Sequence, residues 1–265
     1  ESIQDRILWL SIQLVNHANT VRTNRSDLKV GGHQTSSSSV VTILTYLYFE
    51  FLEKYDYVSV KPHASPVFHA IQYLLGNLDK KYLTSLRELH GLQSYPSRTK
   101  DPDFVDFSGG SVGIGSIAPN FAAMSHQYLK DHSLLNEDLN NARFISLLGD
   151  AELDEGTIWE AIADPTMEDI SNLIWIVDLN RQSLDRIIPF IRVKTWRQMF
   201  EANGWNVIDA KYGKKLEDVF NLPNGVLMKD AIDDMPNELY QRLLRKSEAL
   251  REWLPKSVKD SLSME

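Results

Sequence analysis

Two loops combine residue types that can do chemistry. Gly149-Asp150-Ala151-Glu152-Leu153-Asp154-Glu155 follows an apolar run over residues 144–148, and Asn180-Arg181-Gln182 follows another over residues 173–177. Short runs rich in β-branched or aromatic residues, bounded by polar turns, read as buried parallel strands. A helix-length segment, residues 155–169, separates them and completes a βαβ unit. Its two loops leave the sheet at one edge, where open α/β folds hold ligands. Asp150 and Asn180 are therefore expected side by side. With an oxygen of Gln182 they make a hard donor set that suits Mg²⁺ or Ca²⁺. Mg²⁺ shares its shell with phosphates, so the set reads as a magnesium site for a diphosphate group. A plainer role is equally open on spacing alone: Asp150 caps the next helix and Asn180 sits in a turn. Glu152, Asp154 and Glu155 suit a solvated first helical turn. A calcium EF-hand loop fails, because Glu155 stands at the required glycine and Ala161 at the twelfth position.

Composition narrows the classes. With 265 residues the chain is long enough for one large α/β domain or two small ones. The net charge of −8 argues against nucleic acid, and a diphosphate would need local compensation from a metal and backbone N–H groups. The absence of cysteine removes disulfides, thiolate metal sites and cysteine nucleophiles. The longest apolar run, residues 40–52, is broken by Thr42, Thr45 and Glu50 and is too short for a bilayer. No signal peptide is visible. The sequence opens at Glu1 rather than methionine, which suggests a trimmed or incomplete N-terminus. A cytoplasmic location without membrane contact is expected.

The elements that must position these loops follow from periodicity and punctuation. Residues 2–19 have helical spacing. The serine run 36–39 reads as the entry turn of an apolar helix. Residues 56–61 read as a strand ending at Pro62-His63, and Ser65-Pro66 as a helix start with a capping hydroxyl, that helix stopping near Gly76. A second helix is expected over 79–91, and loop over 92–111. Residues 112–116 form a small-residue turn ahead of a helix over 117–131. Further on, a helix over 196–203 closes at Gly204, a strand covers 205–209, and helical pieces cover 226–234 and 238–253. His69, His90 and His126 fall in helix-like stretches and read as packing or surface residues. Gly113-Ile114-Gly115-Ser116-Ile117-Ala118 fits a dinucleotide-binding fingerprint, but no strand precedes it as that motif requires.

Gly149-Asp150-Ala151 followed about thirty residues later by Asn180 resembles the thiamine diphosphate signature of the transketolase superfamily. The acidic loop is most similar to Gly-Asp-Gly-Glu-Met-Asp-Glu of the homodimeric pyruvate dehydrogenase components. Gly31-Gly32-His33, Pro62-His63-Ala64-Ser65-Pro66, His90-Gly91-Leu92-Gln93-Ser94-Tyr95-Pro96, Ser111-Val112-Gly113-Ile114-Gly115 and Gly204-Trp205-Asn206-Val207-Ile208 match that family in order, covering residues 27–208. The resemblance implies a three-layer α/β/α parallel sheet with the thiamine diphosphate-binding fold over residues 1–210, followed by a helical extension or linker over 211–265.

The resemblance also implies roles. Asp150, Asn180 and Gln182 would hold Mg²⁺ against the diphosphate. His33, His63, Val112, Gly113, Gly149, Ala151 and Glu152 would line the cofactor, with His33 and His63 near the reactive ring and a 2-oxo acid. Neutral histidine suits an oxyanion donor or proton shuttle near neutral pH. Two departures stand out. Ala151 replaces a glycine and allows close phosphate approach only at negative φ, and residues 185–192 are bulky and apolar where the family is glycine-rich. The implied activity is oxidative decarboxylation of pyruvate. The activating glutamate would come from a pyrimidine-binding domain on another chain or a missing part of this one, in a homodimer or heterotetramer that passes its product to a lipoyl acyltransferase. Transketolase-like ketol transfer and a non-catalytic cofactor-binding or assembly subunit are the alternatives.

Overall fold

The computed structural model describes residues 2–23, 29–32, 34–110, 112–179, 182–183, 186–187, 193–244, 252–253 and 256–261, and divides into two units, Glu1–Asn180 and Arg181–Glu265. The first unit is built on three parallel strands in the order β1 (Tyr57–Ser59), β2 (Phe144–Gly149), β3 (Leu173–Asp178). Register runs from Tyr57 against Phe144 to Gly149 against Asp178. Among the described residues, the α-helices of this unit are α1 (Ile3–Asn16), α2 (Gln34–Ser38), α3 (Val41–Tyr46), α4 (Ser65–Leu74), α5 (Ile114–Asp131) and α6 (Gly156–Ile162).

Strand alternation explains the layering. Val58, Ile145 and Leu147 share a core with Ile7 of α1, Leu44 of α3 and Val67 and Ile71 of α4. The residues between them on the strands are serines, and they serve the other face. Ser59 Oγ donates to Gly115 O at 2.5 Å and Ser146 Oγ to Ser116 O at 2.7 Å, so both hydroxyls grip the first turn of α5. Small polar residues at sheet positions leave room for a helix to approach and give its backbone partners. Sequential parallel strands need helical crossovers, and the resulting arrangement is the expected three-layer α/β/α sheet.

Several expectations change. Residues 79–91 form no α-helix beyond a 3-10 turn, Lys80–Thr84. The chain folds back instead: Arg87 and His90 have φ of 61° and 63°, Leu92 N donates to Ser85 O, and Arg87 N to Leu92 O. This loop buries Leu86 and Leu92 against Leu14, Val15 and Leu78, a tertiary gain that overrides helix propensity. The segment expected as one helix over 155–169 stops at Ile162, because Pro165 opens a separate 3-10 turn capped by Asp164. Ser65 does not cap α4; its hydroxyl donates to Ser94 O at 3.0 Å. The serine run does not open the apolar helix: Ser36–Ser38 end the short α2, which begins at Gln34, and Ser39 and Val40 form a turn before α3.

The second unit holds α7 (Val193–Ala202), α8 (Lys214–Phe220), α9 (Gly225–Asp233), α10 (Asn237–Leu244) and a two-stranded antiparallel pairing of Gln182–Ser183 with Arg186–Ile187. Met228 and Ile232 of α9 pack with Tyr212, Val219 and Phe220. Residues 205–209 are not a strand. Trp205 turns back past Gly204, its N–H donating to Phe200 O and its ring set edge-on to Phe200 at 5.7 Å. Most of the bulky segment 185–192 lies outside the described residues. Among the described residues, no helix is long and apolar enough to cross a membrane.

Asp56 and Arg143 clasp the amino-terminal ends of β1 and β2. Arg143 donates Nε and Nη2 to the Asp56 carboxylate, which also accepts the N–H groups of Glu53 and Arg143. Burial alone raises the Asp56 pKa, but hydrogen bonds from Arg143 and the backbone outweigh it and hold the carboxyl below its usual range. A depressed carboxylate stabilises the fold above its unfolded pKa, and that contribution disappears as pH falls through the folded value. Asp56→Asn is expected to lose about 1.5–3 kcal/mol in urea unfolding at pH 7. The gap to wild type should narrow in acid, below the ordinary carboxylate range.

Candidate active site

The carboxyl ends of the three strands meet in one place. After β1 come Val60, Lys61, Pro62 and His63; after β2 comes Asp150; β3 ends in Asp178. Lys61 reaches from the end of β1 to the end of β3, its Nζ 2.6 Å from Asp178 Oδ2, with the two side chains only 5% and 8% exposed. Ser39 Oγ donates to the same oxygen at 2.6 Å. On its way the lysine stem passes over the end of β2: a Cβ on Gly149 would stand 4.0 Å from Lys61 Cδ. Ser39, Lys61 and Asp178 were not among the expected site residues. The available signal was a charged residue at the end of each of two apolar strands.

Asp150 opens a 3-10 turn, Asp150–Asp154, and is 2% exposed. Its Oδ1 accepts the N–H of Ala151 at 3.0 Å. Ala151 lies in this turn and is not among the residues with positive φ, so the alanine meets the condition for close backbone approach to a phosphate. Glu152 is not solvated as expected. Its Oε1 accepts the N–H of Gly149 at 3.1 Å, and its Oε2 accepts Ser116 Oγ at 2.7 Å. Burial pushes the Glu152 carboxyl above its usual range, partly opposed by these hydrogen bonds and by the nearby Lys61 charge. Asp154 remains exposed.

The bond from Ser116 also brings the start of α5 to this loop. Gly113 precedes the helix at φ 80°, and a Cβ there would meet Thr157 Oγ1 at 3.1 Å and Ile158 Cγ1 at 3.2 Å. Both the left-handed backbone and the contact with α6 call for glycine. Val112, beside it, is 51% exposed. The expected neighbourhood of Gly113, Gly149, Asp150, Ala151 and Glu152 is thus assembled at one edge of the sheet.

His63 occupies the turn after β1, edge-on to Tyr95 at 5.9 Å, and its carbonyl accepts Ser37 Oγ. It lines a small cleft with Gly32, Ser65, Arg87 and Ser94. Gly32 has φ of 112°. His33 and Asn180 lie outside the described residues, as does the side chain of Gln182. The register of β2 and β3 ends with Gly149 paired to Asp178.

A parallel three-layer sheet whose strand ends carry an Asp-Ala-Glu turn against a glycine-led helix defines a cofactor-binding domain. The family model described as "Transketolase, thiamine diphosphate binding domain" matches residues 48–229, and the chain belongs to that family. More particularly, the chain is similar to proteins named pyruvate dehydrogenase E1 component. That of Escherichia coli (strain K12) is 31% identical over 228 residues, which cover 82% of this chain and 25% of that protein. That of Buchnera aphidicola subsp. Schizaphis graminum is 28% identical over 260 residues, 93% of this chain and 28% of that protein. The chain spans about a quarter of the length of these relatives. Among solved structures, a transketolase from Leishmania mexicana superposes with a TM-score of 0.66 at 21% identity, over 80% of this chain and 32% of that one. At that identity the likeness speaks for the fold.

Breaking a buried ion pair by removing one partner typically costs about 3–5 kcal/mol, because the other charge stays buried. Lys61→Met is therefore expected to destabilise by that order, and adding Asp178→Asn should restore much of the loss in thermal unfolding. Glu152 has the opposite pH sign from Asp56. Its raised folded pKa means a contribution present at low pH and lost as pH rises through that value. Glu152→Gln should raise the melting temperature at pH 7–8 and leave it unchanged near pH 4.

Proposed function

We propose that this chain supplies the diphosphate and metal half of a thiamine diphosphate-dependent active site that decarboxylates a 2-oxo acid, pyruvate in the first instance. The observation that supports it most is the in-register meeting of β2 and β3, which sets the Asp150 turn beside the chain leading to Asn180. The donor chemistry fits: a buried carboxylate, an amide oxygen and an oxygen of Gln182 suit Mg²⁺ better than softer ions. The negative φ of Ala151 and the bare Gly149 fit a phosphate brought against the backbone.

In this reading Asp150, Asn180 and Gln182 hold Mg²⁺ against the diphosphate. Gly113, Val112, Gly149, Ala151 and Glu152 shape the cradle. When bound, thiamine diphosphate supplies the carbon nucleophile and the electron sink for decarboxylation. The protein's part is to orient and to manage protons. In this reading His63 and His33 supply a neutral imidazole that donates to a developing oxyanion or carries a proton. Glu152 holds the Gly149 amide and the α5 start in place, and Lys61 offsets the carboxylates that crowd the strand ends. A pyrimidine-binding domain, on another polypeptide or another part of a longer chain, supplies the activating glutamate. The similarity to E1 components supports pyruvate as substrate and an assembly with a lipoyl acyltransferase as the setting.

Calorimetric titration with thiamine diphosphate and Mg²⁺ tests the site. A metal–phosphate pair at about 4 Å contributes roughly 4 kcal/mol per unit charge at an effective dielectric near 20. Asp150→Ala is accordingly expected to weaken cofactor binding by at least about 100-fold while the fold persists by circular dichroism. Unchanged affinity in that variant would refute the assignment. With the pyrimidine domain present, CO₂ release from pyruvate is expected; turnover of ketose phosphates instead would move the reading to ketol transfer.

A further inference from the structure

A second polar cluster lies apart from the strand-end residues. His69 comes from the middle of α4, and Asp101 and Asp103 from the loop over residues 92–110; the three side chains have no solvent exposure. His69 Nδ1 is 2.7 Å from Asp103 Oδ2. On the opposite side of the ring, Nε2 has no hydrogen-bond partner, and Asp103 Oδ1 has none either. The nearest carboxylate oxygen to Nε2 is Asp101 Oδ1 at 3.9 Å, too far for a hydrogen bond. One donor atom from each residue lies within 4.8 Å of the other two. Among the described residues, no lysine or arginine forms an ion pair with Asp101 or Asp103.

Neither simple protonation state satisfies this arrangement. An imidazolium would set a buried Nε2–H 3.9 Å from Asp101 Oδ1, near enough for charge attraction but not for a hydrogen bond. A neutral ring with Nδ1–H donated to Asp103 leaves the Nε2 lone pair directed into a region that holds another lone-pair donor, Asp101 Oδ1. A cation between the two resolves both. We infer that His69 Nε2 and Asp101 Oδ1 bind one divalent transition-metal ion, with Asp103 holding the Nδ1–H as the orienting carboxylate.

The chemistry is consistent at each atom. A histidine that ligates through one nitrogen commonly donates the other N–H to a carboxylate, which sets the tautomer and raises ligand basicity. Asp101 accepts the N–H groups of Gln93 and Ser97, both at 2.7 Å, one on each oxygen. Each carboxylate oxygen has two lone pairs, so Oδ1 keeps one for a metal. Zinc bonds of about 2.0–2.2 Å place nitrogen and oxygen roughly 3.3 Å apart at a tetrahedral angle, so a closure of about half an ångström suffices. Imidazole with carboxylate selects zinc or a similar first-row ion over Mg²⁺. The ion would tether α4 to the loop that carries Ser94 and Tyr95, the residues next to Ser65 and His63.

The test uses the full chain, stripped with chelator and titrated with Zn²⁺ in excess Mg²⁺, added to fill the site proposed at Asp150. One Zn²⁺ per chain is expected, with Asp150→Ala binding it unchanged. His69→Gln and Asp101→Asn should each lose at least tenfold in zinc affinity, with folding checked by circular dichroism. Co²⁺ substitution should give a visible absorption band that His69→Gln abolishes. Absence of stoichiometric Zn²⁺ binding by the wild type overturns the inference, as does unchanged affinity in the folded variants. If His69→Gln does not fold, Asp101→Asn and the wild-type stoichiometry decide.

Discussion

The reach of Lys61 across the end of β2 to Asp178 is the constraint on which the rest of the site depends. Both groups are removed from water, so neither tolerates loss of the other, and the pair is held to one geometry by Ser39 as a third partner. A parallel sheet on its own sets strand spacing and register but leaves its terminal loops free. The ion pair ties the first strand to the third over the second, and fixes where the turns begin. The lysine stem lies in van der Waals reach of Gly149, where a Cβ would stand 4.0 Å from Lys61 Cδ.

The two faces of the sheet do different work because their side chains differ. One face carries Val58, Ile145 and Leu147 and supplies the apolar burial that drives folding. The other carries Ser59 and Ser146, which contribute little hydrophobic energy and instead bind the carbonyls of Gly115 and Ser116. That brings the amino end of α5 within reach of Glu152.

Charge explains why the proposed site calls for a metal. The chain is acidic overall, and Asp150, Glu152 and Asp178 gather where a diphosphate would bind. Lys61 is already engaged with Asp178. A polyanionic ligand therefore requires a bridging cation, and the available donors are hard oxygens. Burial raising the Glu152 pKa belongs to the same pattern, since a carboxyl that ionises reluctantly repels a neighbouring phosphate less.

Much of this was legible in the sequence because it rests on local chemistry. Short apolar runs rich in β-branched or aromatic residues, bounded by polar turns, gave the strands, Ser65-Pro66 gave the start of α4, and the Asp-Ala-Glu turn after β2 named the place where chemistry belongs. The sequence by itself determined the strand–helix–strand order around the acidic loop, the residues at the strand ends and membership of the family. What it did not determine depends on contacts between distant segments. Residues 79–91 gave up a helix because Leu86 and Leu92 gain more by packing on Leu14 and Leu78. Glu152 left solvent because a serine 36 residues earlier donates its hydroxyl to the carboxylate. Lys61 found Asp178 across 117 residues, and His69 found Asp101 and Asp103 across a loop with no periodic signal. Periodicity records how a residue relates to its near neighbours. Pairing of buried charges is decided only when the fold removes them from water, and that is a property of the tertiary structure.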